Sequence, residues 1–121
     1  MSIPCSVYIV TLNCGAWLEA TLNSVRDFAE VIILDSGSTD TTYAIAQSFP
    51  NVRISHQDWQ GYAGQKSLAL AQCQYDWVLN LDGDEVLSPE LKKEIEQSIQ
   101  ASQIDALITP INDVFLGVPN S

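Results

Sequence analysis

Apolar residues along this chain fall into two alternating patterns. Short continuous runs suit strands buried on both faces, and wider-spaced stripes suit one face of a helix. The first run, residues 6–12 (Ser-Val-Tyr-Ile-Val-Thr-Leu), is rich in β-branched and aromatic residues and stops at the turn signal Asn13-Cys14-Gly15. Leu18, Leu22, Val25 and Ala29 then recur at helical spacing, which predicts a helix over about residues 16–28. Val31-Ile32-Ile33-Leu34 is a second strand, closed by Asp35. The polar stretch Ser36-Gly37-Ser38-Thr39-Asp40-Thr41-Thr42 is rich in helix-capping residues and precedes a short helix carrying Tyr43, Ala44, Ile45, Ala46 and Phe49, stopped by Pro50.

The second half repeats the alternation. Residues 52–55 predict a third strand, 63–72 a helix, and the run Trp77-Val78-Leu79-Asn80-Leu81 a fourth strand that ends in Asp82-Gly83-Asp84. Ser88 then caps a helix with Pro89 at its first position and a stripe of Leu91, Ile95 and Ile99. Residues 105–109 predict a fifth strand. Strands alternating with helices define an α/β fold with a mostly parallel sheet and helices on both faces. Ligands bind beyond the carboxyl ends of strands in such folds, so Asn13, Asp35 and Asp82 to Asp84 are expected to face one crevice.

Composition narrows the function classes. Hydrophobic residues at 46% and charged residues at 17% describe a folded globular chain, and 121 residues make a single domain, 1–121. Fifteen acids against five scattered bases give a net charge of −10, which leaves no basic patch for a nucleic-acid backbone. Most of this acidity reads as solubility. No apolar run approaches the roughly 18 residues of a membrane span, and no secretory leader is visible, so a cytoplasmic chain is expected. Cys5, Cys14 and Cys73 are odd in number and form no Cys-x-x-Cys pair, against a disulfide framework or a structural zinc. The single histidine, His56, is tied by nothing in the sequence to any thiol.

The Asp-x-Asp at the end of a hydrophobic strand carries the chemistry. Hard divalent cations take oxygen ligands and complete their shells with water and phosphate oxygens, so Asp82 and Asp84 point to Mg²⁺ or Mn²⁺ and a diphosphate-bearing substrate. Neither Gly-x-x-x-x-Gly-Lys-Ser/Thr nor Gly-x-Gly-x-x-Gly occurs, so side chains must hold any nucleotide. Asp35 can accept from a base or ribose, Asp82 can hold a ribose hydroxyl or a metal-bound water, and Asp84 can ligate the metal. Asp40 reads as a helix cap, and Trp59 and Trp77 as core or pocket wall rather than sugar-stacking platforms. Glu85 either tunes the Asp-x-Asp or caps its loop.

Four ordered segments, Ile9 to Asn13, Val31 to Thr42, Gly61 to Leu70 and Asp76 to Glu85, resemble the family 2 glycosyltransferases of GT-A fold. The match is greatest with the branch that adds sugars to the lipopolysaccharide core, and it spans about residues 5–95. The resemblance implies a Rossmann-like nucleotide-diphospho-sugar transferase fold. It implies that Thr11 and Asn13 line the nucleotide pocket, that Asp35 contacts the nucleoside, commonly uridine, and that Lys66 lies near the donor. It implies Asp82 at the donor and metal, with Asp84 ligating Mg²⁺ or Mn²⁺. The implied partners are a UDP-sugar and a saccharide or lipid-linked acceptor, handled in the cytoplasm or peripherally at the inner membrane.

Two departures modify this picture. Relatives commonly read Thr-x-Asn-Glu, whereas Cys14 stands in the place of that acid. The general base of inverting transfer is expected beyond Ser121, which makes this the donor-binding part of a truncated transferase. Any uncovered edge would then be met by another chain, a second copy included. The alternatives are a non-catalytic nucleotide-sugar-binding module and a phosphatase of the haloacid dehalogenase type, whose nucleophile also precedes Asp-x-Asp.

Overall fold

The computed structural model describes residues 2–101 and the strand at 115–117. The first strand, β1 (Ile3–Thr11), is buried along nearly its whole length on both sides, as its continuous apolar run requires. It lies at the centre of a sheet whose other members are β2 (Phe28–Asp35), β3 (Val52–His56), β4 (Trp77–Asp82) and β5 (Phe115–Gly117). The order is β3-β2-β1-β4-β5, with the first four parallel and β5 antiparallel to β4. The helices are α1 (Leu18–Ser24), α2 (Thr42–Gln47), α3 (Gly61–Ala71) and α4 (Pro89–Ala101).

Alternation along the strands sorts the core into two layers. Ile3, Cys5, Val7 and Ile9 of β1 join Val31, Ile33, Leu79 and Leu81 on one face, covered by Leu18 and Leu22 of α1, Ala46 of α2 and Ile95 of α4. Tyr8, Ile32, Leu34 and Val78 form the opposite face under Ala69 of α3. Each fully buried aliphatic side chain here contributes about 1.5–3 kcal/mol. The predicted cap of α4 is present: Ser88 Oγ accepts the Leu91 N–H at 3.1 Å and the Ser88 carbonyl accepts that of Lys92 at 2.9 Å.

The first helix is shorter than its apolar spacing predicts. Helix α1 ends at Ser24, where Val25 and Arg26 donate to the carbonyls of Leu22 and Asn23 and turn the chain. Phe28 and Ala29 belong instead to β2, where Phe28 pairs with Ile3. An apolar residue every three or four positions fits the helix, but sheet hydrogen bonds claim these two residues. The fifth strand predicted at 105–109 lies outside the described residues, and β5 is a different segment.

Register sets the working edge. Thr11 of β1 stands beside Asp35 of β2, and Val10 stands beside Asp82 of β4. The order reverses at β1: the chain steps outward to β2 and β3, then returns to β4 on the other side. Such a reversal opens a crevice beyond the carboxyl ends of the strands flanking it.

Candidate active site

A cleft of about 580 Å³ occupies that crevice, with Thr11, Asn13, Asp82 and Asp84 in its lining together with Cys14 and Ser36. Its outer walls are aromatic, formed by Trp17 from the start of α1 and by Trp59 and Tyr62 from the approach to α3.

Asp82 is half-buried and Asp84 exposed. Neither carboxylate is committed to a hydrogen bond or ion pair among the described residues. Glu85 closes the turn that presents them: its Oε1 accepts the Asp82 N–H at 3.0 Å, and its own N–H donates to the Asp82 carbonyl at 3.1 Å. Glu85 is therefore at least a cap of this loop. No cluster of three His, Cys, Asp or Glu side chains could hold a metal among the described residues. The donor set of two free carboxylates at an open cleft fits Mg²⁺ or Mn²⁺, which take their remaining oxygens from phosphate and water.

Gly83 between the two acids is a packing necessity. A Cβ there would lie 2.6 Å from Cys14 Sγ and 3.2 Å from Cys14 Cβ. The Gly83 carbonyl also accepts the Thr21 hydroxyl at 3.1 Å, which ties the loop to α1. Gly83→Ala is expected to cost about 1–3 kcal/mol by overpacking. The double variant Gly83→Ala/Cys14→Ala should recover most of it, and a double-mutant cycle by urea denaturation measures the coupling. Additive losses would show that the contact with Cys14 does not constrain the loop.

Asp35 does not line the cleft. It is fully buried, and both its oxygens are taken. Thr11 and Ser38 hydroxyls each donate to Oδ1 at 2.6 Å, while the N–H groups of Ser38 and Gly37 donate to Oδ2 at 2.7 and 2.9 Å. Burial pushes this carboxyl up, but the four donors outweigh it and hold its pKa below the usual carboxylate range. Gly37 has φ +119°, a conformation open to glycine that lets the backbone N–H groups turn inward. Ser36, the next residue, is the one that reaches the cleft.

The loop held by Asp35 holds Asn13 in turn. Asn13 sits in the left-handed region at φ 53°; its N–H donates to Ser38 Oγ at 2.7 Å and its Oδ1 accepts the Thr39 N–H at 2.9 Å. Asp40 caps α2 as expected, its Oδ1 accepting the Thr42 N–H at 2.9 Å, and Oδ2 binds the Gly15 N–H at 2.9 Å. Burial raises the Cys14 thiol pKa, helped by the charges of Asp84, Asp40 and Asp35, against a lowering contact with the Leu12 carbonyl. All three cysteines are free thiols.

Lys66 lies half-buried on α3, outside the cleft lining. Trp59 is pocket wall, while Trp77 packs half-buried against the core. Ser36, Trp17 and Tyr62 are lining residues that sequence reasoning missed. The exposed aromatics carried a usable signal, since neither Trp17 nor Tyr62 belongs to an apolar stripe.

A parallel α/β sheet with paired carboxylates at the mouth of β4 defines a Rossmann-like ligand-binding domain. Residues 6–119 match the family described as "Glycosyl transferase family 2", and the chain belongs to that family. It is 40% identical over 104 residues to the lipopolysaccharide core biosynthesis glycosyltransferase LpsC of Rhizobium meliloti, covering 83% of this chain and 38% of LpsC. Among solved structures it resembles S. aureus TarS 1-349 in complex with UDP-GlcNAc, with TM-score 0.70 and 28% identity over 83% of this chain and 31% of that one. It also resembles glucosyl-3-phosphoglycerate synthase from Mycobacterium tuberculosis in complex with Mn²⁺, UDP-glucose and phosphoglyceric acid. That likeness has TM-score 0.57 and 27% identity over 65% of this chain and 32% of the synthase. The fold is thus GT-A, and the chain spans about a third of the length of these relatives. Family membership displaces the phosphatase alternative.

Proposed function

We propose that residues 1–121 form one nucleotide-sugar-binding domain serving an inverting, divalent-metal-dependent sugar transfer. The donor is a nucleoside diphosphate sugar, UDP-sugar foremost, and the acceptor a saccharide or lipid-linked saccharide of cell-envelope polysaccharide or lipopolysaccharide. The observation that carries this reading is the pair of uncommitted carboxylates, Asp82 and Asp84, at a cleft beyond the strand ends where the strand order reverses. Support comes from the UDP-GlcNAc in the TarS structure, the Mn²⁺ and UDP-glucose in the synthase structure and the lipopolysaccharide role in the name of LpsC. A cytoplasmic setting, peripheral to the inner membrane, follows from that donor and acceptor chemistry; no helix among the described residues is long and apolar enough to cross a membrane.

Asp84, with Asp82, would hold the cation, and Asp82 is also placed to meet a ribose hydroxyl. A divalent cation, when bound, stabilises the charge that builds on the departing nucleoside diphosphate. Thr11 and Asn13 form the wall beside the nucleoside. Asp35 acts from beneath, keeping Ser36 and the 37–39 backbone in position for it. Lys66 follows Tyr62 by one helical turn, on the same side of α3, and its flexible stem is proposed to bring a positive charge toward the diphosphate. The general base that takes the acceptor proton comes from outside this cleft.

The test is calorimetric titration of UDP and UDP-sugars with and without Mn²⁺, beside assays of UDP release and transfer. Transfer to a saccharide establishes the enzyme. Metal-dependent binding without turnover assigns a donor-holding module, and failure to bind any nucleotide sugar defeats both.

A further inference from the structure

The outer wall of the cleft carries a feature that the metal and hydrogen-bonding groups do not account for. Trp59 is 50% exposed and Tyr62 73% exposed, although large aromatic side chains are ordinarily drawn under cover. Their ring centroids stand 4.9 Å apart at an interplanar angle of 88°. In this edge-to-face arrangement each ring steadies the other while most of their area stays open.

The segment bearing Trp59 is also built to stay in place. Gln65, fully buried on α3, accepts the Gln60 N–H at 3.2 Å and donates to the Gln57 carbonyl at 3.4 Å, so one amide clamps both sides of Trp59. The Gln57 N–H donates to the Asp35 carbonyl at 2.8 Å, fastening the same segment to the tip of β2. A buried amide that holds an exposed indole at the rim of a cleft is the arrangement of a preformed contact surface.

Position along the sheet selects what it contacts. Trp59 follows β3, whereas Asp82 and Asp84 follow β4, and the order β3-β2-β1-β4 separates those strands by three spacings, about 14 Å. A donor whose diphosphate lies at the two carboxylates extends its nucleoside across the tips of β1 and β2, past Ser36. Its flat, aromatic end then arrives at the indole.

We infer that Trp59, buttressed by Tyr62, is the stacking platform for the nucleobase of the donor. This rests on the donor-site reading above. Because stacking accepts any base with a π-face, the platform contributes affinity, and discrimination between bases falls to hydrogen-bonding groups such as Ser36.

The experiment titrates wild type, Trp59→Ala, Trp59→Phe and Tyr62→Ala with four probes in Mn²⁺: UDP, GDP, UDP-glucose and inorganic pyrophosphate. Trp59→Ala should weaken the better-held nucleoside diphosphate by about 5- to 150-fold, the range that alanine substitution of a stacking residue produces. Trp59→Phe should stay within a few-fold of wild type and Tyr62→Ala should fall between them. Pyrophosphate should bind every variant equally, and UDP-glucose should suffer the same penalty as UDP. Unchanged nucleotide affinity in Trp59→Ala overturns the platform and leaves the donor site intact. A penalty confined to UDP-glucose assigns the indole to the sugar and also overturns it. Loss of pyrophosphate in parallel with UDP would mean that Trp59 supports the site's structure only. A wild type that holds neither nucleotide nor pyrophosphate removes the donor site and the platform together.

Discussion

Asp84→Ala should abolish the enhancement of UDP binding by Mn²⁺, with a loss of at least ~100-fold, because removing even an outer-shell partner of a metal ligand costs 10- to 100-fold. The geometry makes the effect separable. Asp84 is exposed and makes no hydrogen bond or ion pair with the described residues, so its loss should leave the thermal midpoint close to that of wild type. Asp82→Ala should show a similar loss. Asp84→Asn keeps an oxygen but not the charge, and should recover part of the metal dependence. Metal-free UDP affinity should be the same in wild type and the two Asp84 variants, and a chelator should reduce wild type to that level, whereas Asp82→Ala should also lose its ribose contact and bind metal-free UDP more weakly. If Asp84→Ala retains the full Mn²⁺ enhancement, the cation is held elsewhere and the assignment of the Asp-x-Asp fails.

The elements that positioned this site were legible where burial is continuous. The runs in β1, β2 and β4 are short and rich in β-branched and aromatic residues, which marks them as interior strands, and the mostly parallel arrangement followed from the helices between them. The end of α1 was not legible, because Val25, Phe28 and Ala29 satisfy helical spacing and sheet burial alike. Only the pairing of Phe28 with Ile3, a contact remote in sequence, decides between them.

Position relative to strand ends located the cleft, yet it misled about which acid faces it. Asp35 and Asp82 both end parallel strands beside β1, but parity along the strands differs. Asp35 continues the face of Val31 and Ile33, while Asp82 continues that of Val78. A strand buried on both faces shows no polar–apolar alternation from which to read that difference. The contact between Trp59 and Tyr62 was hidden for another reason: the two rings meet through a loop whose shape is held by Gln65, and such a clamp leaves no periodic trace in the chain.

Asp35→Ala is expected to be the most destabilising single change at the cleft, about 3–4 kcal/mol, although Asp35 is not part of its surface. Hydrogen bonds to a charged group contribute about 1.5–3 kcal/mol each before their mutual dependence is allowed for, and here four donors converge on one buried carboxylate. Removing it strands the Thr11 and Ser38 hydroxyls and two N–H groups. Asp35→Asn should cost nearly as much, since an amide turns a donor toward donors, whereas Asp76→Asn on the exposed surface should stay within about 0.5 kcal/mol of wild type. The same network sets an acid limit. Asp35 has its pKa lowered by these donors, so its contribution is complete above the ordinary carboxylate pKa and disappears as pH falls through the lower folded value. Glu30 behaves alike: burial raises its pKa, but Ser6, the Gln74 N–H and Arg53 outweigh it. Urea midpoints should therefore hold steady near neutrality and fall below about pH 4, and Asp35→Asn should flatten that fall. Loosening of the 36–40 loop should also free Asn13 and Ser36, giving weaker UDP binding with the Mn²⁺ enhancement preserved, the opposite signature to Asp84→Ala. An Asp35→Asn chain with wild-type stability and an unchanged acid limb would show that the buried carboxylate does not hold the nucleoside wall in place.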